Sequence, residues 1–498
     1  MNLMIQGTGS NVGKSLVTAA LCRIFLQDGY RVAPFKSQNM ALNAAVTRDG
    51  LEMSRAQALQ AQACRIEPDA RMNPILLKPS SEDGCQVVVM GKVRGTLSAD
   101  AYLDAKAELF PVVKDAYASL AAEYDVIVIE GAGSPAEINL MDREIVNMRV
   151  ADMADAPVLL VGDIDSGGVF AALVGTLALL PEAHAARVKG LLINKFRGRR
   201  SLLDPGLDAV ARRTGRPVLG VIPYLDRLRL PDEDSLVLRG RAASRGTTCC
   251  APTASSVTVA VIELPRISNF NDVDPLRIEP DVRVRFVQPG ERLGRPDVVI
   301  LPGSKNAAAD LAALRACGLA EELRDHAASG GAVIGLCGGL QMMGRTIEDP
   351  GAIESRAGCT EGLGLLPVET VLEDEKVLRR VSGRHRSTGC AVTGYEIHHG
   401  RSRFPDPAGV RHVEPLFDLD DGRTDGIARA ACWGTYLHGV FDSDEFRRAL
   451  IDSWREKKGL APLGIVQARY DMDAELDRLA AAVRAAVDLE AVYRVMGR

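Results

Sequence analysis

The 498-residue chain has few of the features that mark specialised classes of protein. Aromatic residues make up only 4% of it, and its ten cysteines show no C-x-x-C spacing, so neither a disulfide framework nor a zinc site is indicated. The formal net charge of −5 gives no general affinity for nucleic acid or for an anionic membrane. The longest apolar run, residues 169–180, is too short to span a bilayer. We therefore expect a protein of the reducing cytoplasm, without a secretory signal and of undetermined oligomeric state, that binds neither nucleic acid nor membrane.

Apolar strand candidates alternate with helical stretches throughout residues 1–238. Such alternation is typical of an α/β fold with a doubly wound, mostly parallel sheet, whose ligands bind at the C-terminal ends of the strands. The predicted strands are Leu3–Gln6, Val32–Phe35, Val126–Ile129, Val158–Val161, Leu191–Asn194 and Val218–Ile222.

The second half of the chain repeats this alternation. Residues 239–256 lack apolar periodicity and are predicted as a linker, and residues 257–445 as a second α/β domain. Residues 446–498 are predicted as a helical tail, because apolar residues within 473–496 recur at helical spacing.

A glycine-rich loop follows the first strand and precedes a helix-like run. Strand, loop, Lys-Ser and helix together predict a phosphate-binding loop for ATP. Lys14 is expected to reach the β and γ phosphates, and Ser15 to bind Mg²⁺. The loop is one residue longer than usual, with five residues between its outer glycines. It comprises Gly7, Thr8, Gly9, Ser10, Asn11, Val12, Gly13, Lys14 and Ser15.

Three polar residues follow other predicted strands of the first half. Glu130 ends the strand Val126–Ile129 beside a Gly-Ala-Gly run, and a magnesium ligand is favoured there over a turn carboxylate. Lys36 supplies a second cation for a transferring phosphoryl group, although a surface lysine explains it nearly as well. Asn194 is expected to reach a purine edge.

Other acidic residues of the first half are weaker candidates. Glu52 and Asp49 are secondary candidates for metal ligands. Asp163 and Asp165 are interpreted either as ligands or as caps of the next helix.

The stretch Gly335-Leu336-Cys337-Gly338-Gly339-Leu340-Gln341 follows an apolar run and precedes a helix-like segment. Strand, sharp turn and helix form the layout of a nucleophile elbow. The start of a helix favours a thiolate, so Cys337 is predicted to be a covalent catalyst. A buried cysteine in a glycine-rich turn is the alternative.

A cysteine nucleophile needs a base, which is most often histidine. His438, between glycines after a short strand, is the first candidate, and His398 and His399 are its rivals. Backbone N–H groups at Gly303 and Gly338 are predicted to form an oxyanion hole.

The elbow resembles the G-x-C-x-G-x-Q pattern of class I glutamine amidotransferases, and that resemblance favours His438 as the base. Residues 1–238 resemble the dethiobiotin synthetase-like amidoligases, which have the longer loop, a second lysine at the position of Lys36 and an acid at the position of Glu130. In this order the two resemblances imply a cobyrinate amidase of cobalamin synthesis.

Family resemblance also implies the substrates: glutamine, ATP with Mg²⁺, and a corrinoid. The run Gln38-Asn39-Met40-Ala41-Leu42-Asn43 is similar to the branch that amidates carboxylates b, d, e and g of adenosylcobyrinic acid a,c-diamide. The a,c-diamide-forming branch is the nearest alternative. A partition-type regulatory ATPase is the alternative from another class, but it lacks support because no lysine stands early in the loop.

One position departs from the amidotransferase pattern. Many members of the class carry a glutamate two residues after the histidine, and here that position is Val440. The third member of a triad is therefore absent or lies elsewhere, and Asp442 is an unsupported candidate for it. We expect Cys337 and His438 to act as a dyad.

Overall fold

Six parallel strands form the central sheet of the first half in this computed structural model, which describes residues 1–79, 84–226, 228–231, 255–355, 358–404 and 413–498. Their order is β12-β11-β10-β1-β9-β2. The predicted α/β class is confirmed, and each predicted strand lies within one of these six. Their bounds are β1 (Asn2–Gly7), β2 (Val32–Phe35), β9 (Val126–Glu130), β10 (Val158–Asp163), β11 (Val188–Phe196) and β12 (Val218–Pro223).

The continuous apolar runs of these strands reflect burial on both sheet faces, as expected for a parallel sheet covered by helices. Helices α1, α5 and α7 pack on the sheet. The helices of this half are α1 (Lys14–Gln27), α2 (Arg55–Ala63), α3 (Ala99–Glu123), α4 (Met148–Met153), α5 (Val169–Leu179), α6 (Glu182–Arg187) and α7 (Asp204–Thr214).

A second, smaller sheet has the order β3-β6-β7-β8. It contains β3 (Gln38–Met40), β6 (Ile75–Pro79), β7 (Gly84–Val89) and β8 (Lys92–Ser98). The short strands β4 (Ala44–Val46) and β5 (Glu52–Ser54) lie between β3 and β6 in the sequence.

The second half is built on a mixed sheet with the order β15-β13-β16-β18-β25-β24-β23-β21-β19-β20, and β22 pairs with β21. Its first five strands are parallel. A separate pair joins β14 to β17. The bounds are β13 (Val257–Ile262), β14 (Ile267–Ser268), β15 (Val282–Val287), β16 (Val298–Leu301), β17 (Gly303–Ser304), β18 (Ala332–Leu336), β19 (Thr346–Glu348), β20 (Cys359–Glu361), β21 (Glu369–His385), β22 (Ala391–Arg403), β23 (Glu414–Leu419), β24 (Thr424–Arg429) and β25 (Cys432–Thr435).

The remaining helices follow in chain order. They are α8 (Asp274–Arg277), α9 (Ala307–Ala316), α10 (Leu319–Ala328), α11 (Gly338–Met343), α12 (Asp444–Lys457), α13 (Met472–Ala486) and α14 (Leu489–Val495). Short 3₁₀ turns include Phe270–Val273 and Val440–Asp442. No helix in the described ranges has both the length and the apolar character needed to cross a membrane.

The structure divides the chain into two units whose bounds differ from those of the predicted domains. Unit 1 contains Met1–Ala41, Leu51–Glu233 and Asp471–Arg498, whereas unit 2 contains Leu42–Gly50 and Asp234–Tyr470. The predicted linker lies outside the described residues except for 255 and 256.

The predicted tail is two separate parts, because its helices bury their apolar faces in different units. Helix α12 places Phe446 and Trp454 in the core of unit 2. Helix α13 packs on α1 in unit 1, where Asp473 pairs with the buried Arg23.

Candidate active site

Cys337 lies at the sharp turn between β18 and α11, with φ 50° and ψ −104°. A non-glycine residue rarely adopts a positive φ, so surrounding contacts must hold it there. Its N–H donates to the Thr435 carbonyl at 2.8 Å, and its own carbonyl accepts the Gln341 N–H at 3.1 Å. The thiol is buried and lies 3.7 Å from the Ile397 carbonyl. This is the geometry of a nucleophile elbow.

The glycines beside Cys337 allow close backbone packing. A Cβ at Gly339 would collide with the Leu301 carbonyl, and one at Gly338 would lie 2.8 Å from the Ser304 nitrogen. The turn after β16 and the elbow are therefore in direct contact. At Gly303 a Cβ would lie 3.2 Å from Cε1 of His438. Gly338 thus adjoins the nucleophile and Gly303 lies beside His438, and their role as oxyanion residues stays a prediction.

His438 is fully buried and bonds to an acid that the sequence analysis missed. Its Nδ1 lies 2.6 Å from Oδ2 of Asp272, whose Oδ1 accepts the Gly439 N–H at 3.0 Å. Burial disfavours the imidazolium, but the Asp272 carboxylate and the hydrogen-bonded Cys337 outweigh it and raise the pKa of His438 to about 10.

The geometry therefore favours a triad over the expected dyad. Asp272, on the 3₁₀ turn Phe270–Val273, orients His438 as the third member of a triad. Asp442 does not hold this place: its N–H donates to the Gly439 carbonyl at 2.9 Å, while Nδ1 of His438 is taken by Asp272. Sequence spacing could not identify Asp272, because it precedes the histidine by 166 residues.

The two rival histidines bond to backbone carbonyls instead. Nδ1 of His398 lies 2.7 Å from the Gly400 oxygen, and Nδ1 of His399 lies 3.1 Å from the Glu373 oxygen. Burial lowers the pKa of His398 to about 3. Its ring stacks on that of Tyr436, with the two ring centroids 3.7 Å apart. The contacts thus favour His438 as the base.

The phosphate-loop prediction corresponds to a turn that joins β1 to α1. Gly13 has φ 95°, a conformation that favours glycine, and α1 begins at Lys14. The Thr8 N–H donates to the Val161 carbonyl at 2.9 Å. Nζ of Lys14 donates to the carbonyls of Gly9 and Gly133, at 2.7 and 3.1 Å, and so lies across the loop.

Asn194 bonds to the backbone of the phosphate loop. Its Nδ2 donates to the Val12 carbonyl at 2.9 Å, and the side chain is buried beneath the loop. The neighbouring Lys195 donates to the Asn11 carbonyl at 2.6 Å and pairs with Asp163 at 2.7 Å. In this structure Asn194 therefore supports the loop, and its predicted contact with a purine stays untested.

Glu130 accepts hydrogen bonds from four side chains. Oε1 accepts from Ser15 at 2.7 Å and from Lys36 at 2.9 Å. Oε2 accepts from Gln57 at 3.3 Å and from Gln60 at 2.5 Å. Lys36 is only 4% exposed, so it is not a solvated surface lysine. The buried pair places a cation and an anion next to Ser15 at the C-terminal ends of β2 and β9.

Comparison with known proteins agrees with both halves of this description. Residues 258–446 match a family model described as a CobB/CobQ-like glutamine amidotransferase domain. Residues 3–237 match that of a CobQ/CobB/MinD/ParA nucleotide binding domain. The chain is 52% identical to a cobyric acid synthase of Nitratidesulfovibrio vulgaris, over 99% of this chain and 97% of that one. The chain belongs to the cobyric acid synthase family.

Further relatives of this family are similar over the whole chain. A cobyric acid synthase of Clostridium acetobutylicum is 47% identical over 99% of this chain and 98% of its own. An adenosylcobalamin biosynthesis bifunctional protein CobDQ of Leptospira interrogans is 48% identical over 100% of this chain and 57% of its own. The prediction of a glutamine-dependent amidoligase is thus confirmed.

The residues of this family member fit a magnesium ion only in part. Ser15 and Glu130 place two oxygens 2.7 Å apart, a suitable separation for neighbouring ligands of Mg²⁺. Within the described residues no three His, Cys, Asp or Glu side chains cluster as a metal site. Phosphates and water would have to supply the remaining ligands, as is usual for Mg²⁺.

The two weaker metal candidates have other surroundings. Glu52 is buried in an ion pair with Lys78 at 2.6 Å. Asp49 is exposed and belongs to unit 2, whereas Ser15 and Glu130 belong to unit 1. Gln57 and Gln60 were missed, although their spacing on one face of α2 was a usable signal.

Proposed function

We propose that this member of the cobyric acid synthase family uses glutamine and MgATP to amidate carboxylates b, d, e and g of adenosylcobyrinic acid a,c-diamide. The hydrogen-bonded chain Cys337–His438–Asp272 carries the proposal, since it is a complete apparatus for releasing ammonia from an amide. Family membership supports the nucleotide-binding role of unit 1.

Ammonia release follows from the triad. Cys337 Sγ transfers its proton to Nε2 of His438 and attacks the amide carbon of glutamine. The tetrahedral oxyanion lies within reach of backbone N–H groups near Gly303 and Gly338. His438 then donates its proton to the departing nitrogen, which leaves as ammonia with a thioester on Cys337. Water hydrolyses the thioester to glutamate and restores the thiol.

Carboxylate activation belongs to unit 1. Lys14 and Lys36 bind and neutralise the phosphates of ATP, and the loop N–H groups fix their position. Mg²⁺, when held by Ser15 and Glu130, would supply charge stabilisation to the same phosphates. The γ-phosphoryl group passes to the corrinoid carboxylate, and ammonia displaces phosphate from that acyl phosphate to form the amide.

The choice of substrate rests on relatives. The full-length relatives reported above are cobyric acid synthases, and the run 38–43 supports the same branch over the a,c-diamide-forming enzyme. A partition-type ATPase has no need for the elbow and triad of unit 2. Glutamine, ATP and a reducing environment fit the cytoplasm, and the described cysteines are all free thiols.

Two nitrogen sources separate the roles of the two units. We expect Cys337→Ser to abolish amidation from glutamine, as read by the mass of the corrinoid product, but to retain amidation from ammonium. Lys14→Ala should abolish both, because no acyl phosphate forms. The exposed Cys359 provides a matched control, and Cys359→Ser should behave as the unmodified chain. Normal amidation by Lys14→Ala, or loss of the ammonium reaction in folded Cys337→Ser, would contradict the proposal.

A further inference from the structure

Residues Leu42–Gly50 belong to unit 2, although the chain on both sides of them belongs to unit 1. Within unit 2 this segment is firmly held. Ala44 and Val46 are buried in a cluster with Ile397. The Val46 carbonyl accepts a hydrogen bond from Nε of Arg380 at 2.9 Å. A part of the N-terminal half of the sequence is thus built into the amidotransferase unit.

The segment is linked to the catalytic histidine by one side chain. Ala44 N–H donates to Oδ1 of Asn269 at 2.9 Å, and Nδ2 of Asn269 lies 3.3 Å from Nε2 of His438. An N–H group can bond only to the amide oxygen, so Ala44 fixes which end of the amide faces the histidine. The NH₂ group only donates. As a hydrogen bond, this contact needs a lone pair on Nε2, so it opposes a proton there.

Asn269 and Asp272 hold the two ring nitrogens of His438 from one 3₁₀ turn. The backbone carbonyl of Asn269 accepts a hydrogen bond from the backbone N–H of Asp272 at 3.0 Å. Asp272 and Cys337 favour the imidazolium form of the ring, whereas the amide of Asn269 opposes it. The ring also stacks on Tyr395, and the neighbouring His398 is uncharged because burial lowers its pKa to about 3.

We propose that Asn269 is a positioning residue through which segment 42–50 sets the protonation form of His438. While Ala44 holds its oxygen, Asn269 turns its NH₂ group toward Nε2 and disfavours a proton there, against the effect of Asp272. When the Ala44 N–H is withdrawn, Asn269 is free to turn its oxygen to His438, which favours the imidazolium. This inference rests on the proposed function in taking Cys337 as the nucleophile.

Alkylation of Cys337 by iodoacetamide tests the proposal without ATP, corrinoid or turnover. Its rate between pH 5 and 10, followed by mass analysis of the Cys337 peptide, reports the thiolate fraction. Asn269→Asp presents oxygens to both neighbours, and we expect about a tenfold faster reaction at pH 7, because a carboxylate beside Nε2 stabilises the imidazolium. Asn269→Gly, which tolerates the φ of 50°, should give a smaller increase. The exposed Cys359 is the internal control.

Ala44→Pro removes the N–H that holds Asn269 and should also accelerate alkylation. In the double variant Ala44→Pro/Asn269→Gly the increases should not add, because both changes act through one side chain. Additive increases, or profiles for Asn269→Asp and Asn269→Gly that overlay the unmodified chain, would overturn the proposal. If Ala44→Pro does not fold, the alkylation rates of Asn269→Asp and Asn269→Gly are sufficient to test the proposal. Failure of the proposed function is distinguishable, since it would show as glutamine hydrolysis by Cys337→Ser.

Discussion

Asp272 changes what is expected of the amidotransferase chemistry. It fixes the tautomer of His438 from a turn far away in the sequence, so the valine at position 440 does not leave the histidine without an acid. Asp272 thus supplies the orienting carboxylate from a different position of the fold. The triad is recognised by its geometry and not by sequence spacing.

The first prediction concerns this acid. Asp272→Asn should lower the kcat for glutamine hydrolysis by roughly 10²–10⁴, because the imidazole loses its orientation and its charge partner. Amidation from ammonium should be unchanged. Asp442→Asn is the matched control, and its kcat should stay within about threefold, since it does not bond to Nδ1. An equal loss of kcat in the two variants would contradict the assignment of Asp272 as the third member of the triad.

The pH profile provides a second measurement on the same variants. Asp272 and Cys337 raise the pKa of His438 to about 10, so the imidazolium persists well above neutral pH. A raised folded-state pKa stabilises the fold below the unfolded value of about 6.5, and this stabilisation is lost as pH rises toward 10. Asp272→Asn lowers that pKa. The alkaline limb of the pH profile for glutamine hydrolysis should therefore move to lower pH in this variant. An unchanged alkaline limb would contradict the ion pair between His438 and Asp272.

Among the elements, those whose signal is local could be predicted from the sequence. The six strands of the first sheet are continuous apolar runs, and the elbow is marked by adjacent glycines, so both were found. Helix α12 was assigned to a common tail with α13, because amphipathic spacing shows that a helix has an apolar face but not which core receives it. Asn269 and Asp272 were missed for a similar reason, since their partners are 225 and 166 residues away.

Helix α12 is fixed by a buried ion pair, which gives an element-scale prediction. Arg447 bonds to Glu279 at 2.8 Å, with both side chains fully buried. Arg447→Leu leaves a buried carboxylate short of a partner and should destabilise unit 2 by roughly 3–5 kcal/mol. Arg386 and Asp418 form an exposed pair at 2.6 Å, and Arg386→Leu should cost less than about 1 kcal/mol. Urea unfolding followed at unit 2 compares the two, and equal losses would refute the role of the buried pair.

At the scale of the whole molecule, the last 28 residues complete the nucleotide-binding unit. Leu476, Leu479 and Val483 of α13 are buried, and α13 packs on α1, the helix that starts at the phosphate loop. Arg484 adds an ion pair with Asp28 at 2.8 Å. The stability of the loop's supporting helix therefore depends on the end of the chain.

A chain ending at Tyr470 should lose amidation from ammonium while its Cys337 still reacts with iodoacetamide. Loss of Leu476, Leu479 and Val483 alone costs roughly 5–9 kcal/mol at ~1.5–3 kcal/mol each, which is comparable with the ~5–15 kcal/mol that holds a domain together. Calorimetry should show a lower melting temperature for unit 1. Glu490→Gln, at a position 93% exposed, is the full-length control. Ammonium-driven amidation by the shortened chain would contradict this dependence.

The interleaving of the two units has a consequence for synthesis on the ribosome. Unit 1 needs α13, so its fold cannot close until residues 472–486 have been made, long after the synthesis of its phosphate loop. Unit 2 receives residues 42–50 early but must wait for residues 255–470 before they can be bound. If the chain were cut once between the two halves, the N-terminal piece would lack residues 471–498 of unit 1. The C-terminal piece would lack residues 42–50 of unit 2. A nascent chain of this protein must therefore keep its early segments accessible until their late partners have been made.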